Sequence, residues 1–182
     1  MRIVGLTGTV WAGKWTVVEY MVKHMWYTHF SVRWFLETQL DARGLTHDRD
    51  AMRDLANEYR REFWADYIVK KLYDEARAHG TDAVIESIRC VWEIQSLRQY
   101  SEFILVGVDA KIQTRYERVV KRGSSTDDIS FETFVEQEQK EMHGANPFVQ
   151  NLAACLQMAD VRIKNDATPA ELYMEVERVL MG

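Results

Sequence analysis

Gly8, Gly13, Lys14 and Thr16 stand in the run Gly8-Thr9-Val10-Trp11-Ala12-Gly13-Lys14-Trp15-Thr16, at the spacing G-x-x-x-x-G-K. Residue types in that order suit one task, the holding of phosphate. Successive backbone N–H groups of such a loop make a concave anion site, a following helix adds positive potential at its N-terminus, and a lysine reaches the outer phosphates. The context fits. Arg2-Ile3-Val4-Gly5-Leu6-Thr7 reads as a buried first strand, and Val17-Val18-Glu19-Tyr20-Met21-Val22 as the start of a helix. Strand, glycine loop and helix are the parts that make the pattern meaningful.

The remaining elements must form a frame around that loop. Apolar, β-branched runs alternate with helical patterns, which predicts βαβ units and a parallel sheet covered on both faces. A short second strand is expected near 28–32, strands at 82–86 and 103–108, and a last strand at 161–163. Helical spacing dominates 33–79, with a break at Arg43-Gly44-Leu45-Thr46, and recurs near 92–99, 111–121, 131–142 and 149–158. A closing helix from Pro169 has Thr168 as its N-cap. Arg122 to Asp128 is the most polar stretch and reads as a loop.

Bulk properties exclude several classes. The 182 residues suit a single domain spanning 1–182, and 47% hydrophobic with 28% charged residues is ordinary for a globular chain. A net charge of −5 leaves no basic excess for nucleic acid. No apolar run approaches a membrane span, and no signal peptide precedes the first strand, so a cytoplasmic protein without membrane partners is expected. Two cysteines, Cys90 and Cys155, are too few for a disulfide framework or a zinc cage.

With these residues in view, the chain resembles the P-loop nucleotide kinases, near adenylate kinase and dephospho-CoA kinase. Beyond the loop, the resemblance is carried by Phe30-Ser31-Val32-Arg33-Trp34-Phe35-Leu36, Glu86-Ser87-Ile88-Arg89, Arg115-Tyr116-Glu117-Arg118 with Lys121-Arg122, and Ala159-Asp160-Val161 through Thr168. It implies a three-layer α/β fold with a parallel five-stranded sheet, helices on both faces, an acceptor-binding helical insertion at 33–79 and a lid region at 122–148. It also implies ATP-dependent phosphoryl transfer, mostly by positioning and charge stabilisation. Gly8, Gly13, Lys14 and Thr16 would hold ATP, Thr16 would lie near Mg²⁺, Arg89 would hold the acceptor's phosphate, and Arg118 and Arg122 would converge on the transferred group.

Six tryptophans depart from that pattern. Trp11 and Trp15 stand inside the loop where relatives carry glycine or other small residues, and Trp34 where they carry aspartate. Trp26 falls at a helix C′ position suited to glycine, and Trp64 and Trp92 at glycine-type turns. Lys111 replaces the aspartate usual after the fourth strand. Several of these slots lie at the C-terminal edge of the sheet, where open α/β folds bind ligands. One reading is therefore a cleft remodelled, as engineering on a kinase scaffold would do, into a pocket for an apolar or aromatic small molecule lined by Trp11, Trp15, Trp34, Arg89, Trp92 and Lys111. Such a pocket offers candidate nucleophiles for ester cleavage: Cys90, with His47 or His143 in reach, and Lys111, if apolar surroundings lower its pKa. Glu136, Glu138 and Glu141 read as solvated charge on one helix, with no metal site beyond Mg²⁺ at Thr16. Two other readings stay open: an active nucleotide kinase, and an interaction protein whose exposed indoles form a partner surface. Enclosed indoles would mean a pocket, and a contiguous exposed patch an interface.

Overall fold

The first strand, β1 (Ile3–Gly8), is buried along its whole length and lies at the centre of a five-stranded sheet. The computed structural model describes residues 1–100, 102–122, 129–144 and 149–181, with only the backbone of Arg49 and Arg122. The expected polar loop and the 145–148 part of the expected lid lie outside the described residues, as does the side chain of Arg122.

After β1 come α1 (Lys14–Met25), β2 (Thr28–Ser31), α2 (Val32–Ala42), α3 (Arg49–Phe63), α4 (Tyr67–His79), β3 (Ala83–Glu86) and α5 (Val91–Leu97). Then follow β4 (Phe103–Asp109), α6 (Ile112–Arg122), α7 (Phe131–Met142), α8 (Leu152–Met158), β5 (Val161–Lys164) and α9 (Pro169–Met181). The strand order is β2-β3-β1-β4-β5 and every pairing is parallel. Such a sheet is buried on both faces, so its inner strands read as continuous apolar runs.

Alternation along the strands builds two cores. Ile3, Ile85 and Leu105 face one side with Leu36 and Leu40 of α2, Leu55 of α3, Val69 and Leu72 of α4 and Ile94 of α5. Val4, Leu6, Val84, Val106 and Val108 face the other with Val17, Val18 and Met21 of α1 and Leu172 and Val176 of α9. Helices thus cover both faces, as expected. Local signals set most boundaries: Ser31, Asp48 and Ser130 accept N-terminal amide hydrogens of α2, α3 and α7, and Thr168 and Glu171 cap α9 reciprocally. α8 starts at Leu152 instead of Val149, because the Asn151 side chain accepts from Ala154 N–H and caps it there.

Three of the six tryptophans, Trp11, Trp26 and Trp64, occupy positive-φ conformations that favour glycine. Trp26 (φ 62°, ψ 27°) is a left-handed C-cap with 84% of its surface exposed, and Trp64 (φ 81°, ψ 155°) ends α3 with 77% exposed. Trp15, Trp34 and Trp92 are 56%, 50% and 48% exposed. The expectation of an enclosed indole-lined pocket is therefore corrected: these five side chains, at turns and helix ends, each leave about half or more of their surface in water.

Candidate functional site

Parallel order around β1 reverses between β3 on one side and β4 on the other, which opens a crevice at the C-terminal ends of these strands. The loop 9–13 leaves β1 there, Glu86 ends β3 and Asp109 ends β4.

Two glycines make the loop possible. A β-carbon on Gly8 (φ +145°) would sit 1.9 Å from the Val108 carbonyl oxygen, and one on Gly13 (φ +94°) would sit 2.2 Å from Asn165 Nδ2. Between them Thr9 to Ala12 form a turn closed by Ala12 N–H donating to Thr9 O at 3.3 Å. Trp11 (φ 64°) is its third residue, a position with positive φ that favours glycine.

Side chains from three elements brace this loop. Thr9 Oγ1 donates to Asp109 Oδ1 at 2.7 Å. From α6, Arg115 donates to Val10 O at 3.3 Å and Arg118 to Trp11 O at 3.3 Å and Asn165 O at 2.6 Å. Asn165, after β5, donates to Ala12 O at 2.8 Å. Arg118, expected at the transferred phosphoryl group, is thus engaged with two backbone carbonyls, which leaves other guanidinium N–H groups for a ligand.

Lys14 folds back over the loop, donating to Gly8 O at 2.9 Å and Thr9 O at 2.7 Å. Burial, then the positive charge of Arg89, pulls its pKa down to about 7, against the opposing pull of Glu86 and Glu141. Arg115 adds a smaller push in the same direction as Arg89. Arg89, placed after β3, donates to Glu141 Oε2 at 2.8 Å and borders Gln150 at 3.5 Å. Its backbone N–H and that of Cys90 are held by Glu93 Oε2 at 2.8 and 2.9 Å, while Glu93 Oε1 accepts from Arg60 of α3 at 2.8 Å. The helical insertion therefore positions Arg89 through Arg60 and Glu93, both buried.

Glu138 and Glu141 correct the solvated-charge expectation. Glu138 pairs with Arg115 at 2.7 Å and Glu141 with Arg89 at 2.8 Å, with the glutamates 5% and 7% exposed. Phe134, Glu138 and Glu141 fall at i, i+4 and i+7, so the helical period already places them on the face of a buried phenylalanine.

His29, on β2, was not among the expected site residues. Its ring lies 5.9 Å from Trp15 and 4.5 Å from Trp34, and its Nε2 is 3.8 Å from Glu86 Oε1. Glu86 also accepts from Ser31 Oγ at 2.8 Å. Burial raises the Glu86 pKa, but His29, Ser31 and Lys14 outweigh it and hold the carboxyl below its usual range. Trp15 thus lies toward β2 and α2, beside the loop. Between α3, α7 and residues 149–150 a polar cleft of about 470 Å³ is lined by Asp50, Arg53, Asn57, Lys140, His143 and Gln150 among others.

The ester-cleavage site does not assemble. Cys90 is fully buried, and burial, then the Glu93 charge, pushes its thiol pKa up, away from a nucleophilic thiolate. His47 is exposed on the loop between α2 and α3 and bonds Asp41 at 2.7 Å. His143 is exposed as well, and Lys111 stands in solvent with its backbone N–H on Asp166, without the apolar surroundings an amine nucleophile needs. Thr16 sits in the first turn of α1. Among the described residues no group of three or more His, Cys, Asp or Glu side chains could hold a metal, and no helix is long and apolar enough to cross a membrane.

Comparison with known proteins agrees with this geometry. The chain is similar to archaeal UPF0200 proteins: 27% identical over 183 residues to one from Pyrobaculum aerophilum, covering 100% of this chain and 98% of that protein. A second, from Methanocaldococcus jannaschii, is 24% identical over 183 residues, covering 99% and 89%. Among solved structures, TT1252 from Thermus thermophilus superposes with a TM-score of 0.66 at 16% identity, covering 99% and 96%. Shikimate kinase from Bacteroides thetaiotaomicron gives 0.61 at 13%, covering 100% and 99%. These likenesses show the fold, a P-loop kinase-like α/β sheet. The family described as AAA domain matches residues 4–143, from β1 through α7, and the chain belongs to that family.

Proposed function

We propose that the protein is a phosphotransferase that holds the polyphosphate of a nucleoside triphosphate at the loop from Gly8 to Thr16 and passes a phosphoryl group to a small polar acceptor. The observation that carries this reading is the glycine loop at the N-terminus of α1, with Lys14 folded over it and Arg115 and Arg118 held on its carbonyls; burial, then the Arg89 charge, brings the Lys14 pKa down to about 7. Phosphate suits a glycine loop at a helix N-terminus. The polar cleft between α3 and α7 borders Arg89 through Gln150 and supplies the acceptor's place. Trp15 and Trp34, beside His29, add an aromatic face on the same side, which is what survives of the remodelled-cleft reading without a nucleophile.

Mg²⁺ fits the residues present. Magnesium reaches such sites on the triphosphate and needs few protein ligands, and Thr16, in the first turn of α1 after the glycine loop, is the hydroxyl that would hold it. When bound, it neutralises charge on the phosphate oxygens.

Calorimetric titration with Mg-ATP tests the reading: the wild type binds, and Lys14→Ala weakens binding by about 100-fold, the loss of a charge-assisted contact of about 1.5–3 kcal/mol. Equal binding by both proteins would overturn it. Binding is also linked to protons. Phosphate raises the Lys14 pKa back from about 7 toward its ordinary value. Affinity is then full below pH 7 and falls as pH rises above it. At pH 8 about one proton is taken up per ATP bound, read as a difference in binding enthalpy between Tris and HEPES.

A further inference from the structure

The inward face of α7 carries two carboxylates with different duties. Glu138 meets Arg115, whose guanidinium also donates to Ala110 O and Val10 O and is 5% exposed in its side chain. That pair is built into the frame. Glu141 meets Arg89, which is 27% exposed and borders the cleft beside α3 through Gln150. Ile88, next to Arg89, donates its backbone N–H to Leu6 O of β1 at 3.1 Å, which sets the Arg89–Glu141 pair beside the phosphate loop, and both charges act on Lys14. An arginine at the edge of an anion site, neutralised by a carboxylate from its own chain, has its ligand already in place.

We propose that Glu141 is an internal stand-in for phosphate at Arg89, an autoinhibitory contact that an incoming phosphate group displaces. This rests on the phosphotransferase reading above. A phosphate carries more charge and one more acceptor oxygen than the carboxylate it replaces, so the exchange favours the ligand. The ligand-free state keeps the Arg89 charge paired, and the bound state needs Glu141 released. Because a ligand shifts an equilibrium only by its differential affinity for the two states, a group without phosphate-like charge leaves α7 docked. Glu138 stays on Arg115 in both states, so release is confined to the residues of α7 that follow it.

The test is calorimetric titration of wild type, Glu141→Gln and Lys14→Ala with ATP alone and with AMP alone. Removing the competing charge should tighten one ligand about tenfold, the inverse of the fraction of protein with Arg89 free. Tightening of ATP assigns the displacing phosphate to the donor, and tightening of AMP to the acceptor. Unchanged or weaker binding of both ligands to a folded Glu141→Gln, with ATP binding still dependent on Lys14, overturns the proposal and leaves the phosphotransferase reading standing. ATP binding that ignores Lys14 overturns that reading instead. Should Glu141→Gln not fold, hydrogen exchange of wild-type α7 decides: faster exchange over 139–142 on saturation with ATP or AMP supports release, and unchanged or slower exchange with both refutes it.

Discussion

Glu93→Gln should lower the stability of the protein by about 3–5 kcal/mol, because it leaves the Arg60 guanidinium charged and unpaired in the core. Arg60 and Glu93 are 2% and 1% exposed, and the carboxylate satisfies two guanidinium nitrogens together with the backbone N–H groups of Arg89 and Cys90. Their attraction offsets the cost of taking two ions out of water only while both are present. For a chain of this length the loss corresponds to a melting temperature lower by roughly 6–20 °C, measured by calorimetry. Adding Arg60→Met to Glu93→Gln should recover part of it, since an apolar chain needs no counter-charge. A single variant as stable as wild type would show that the pair is not what holds α3 to α5.

Trp64→Gly should act in the opposite sense. Its φ of 81° and ψ of 155° lie in a region populated almost only by glycine, where a side chain costs about 1–3 kcal/mol. The indole is largely in water, so deleting it forfeits little apolar burial. Trp26→Gly relieves a left-handed C-cap, worth about 1–2 kcal/mol. The two turns share no partner, so the effects should add, and the double variant should melt roughly 5–10 °C higher. Trp64→Ala is the control: it removes the indole and keeps a β-carbon, so it should gain little. Equal gains from alanine and glycine would show that exposed aromatic surface, not backbone strain, carries the cost.

The order of elements was legible in the sequence because each carries its own period and its own ends. β1 reads as an unbroken apolar run, α9 announces itself by Thr168 and Pro169, and the glycine spacing marks the loop. The strain at Trp11, Trp26 and Trp64 was legible too, since a residue in a glycine slot must take the glycine conformation if the fold is kept.

What the sequence left open depended on contacts across the chain. Whether a tryptophan at a turn encloses a pocket or projects into water is set by what packs opposite it, and nothing local states that. Cys90 and His47 look equally available on paper, yet one is fully buried at the start of α5 and the other lies on an outer loop. Arg115–Glu138 joins residues 23 apart and Arg89–Glu141 residues 52 apart. The sequence by itself determined a phosphate loop, a parallel sheet and the helices that flank it. Only the tertiary structure decided which charges reach that loop, because the sign and distance of a charge's neighbours, not its place in the chain, determine whether it is paired, buried or free to bind.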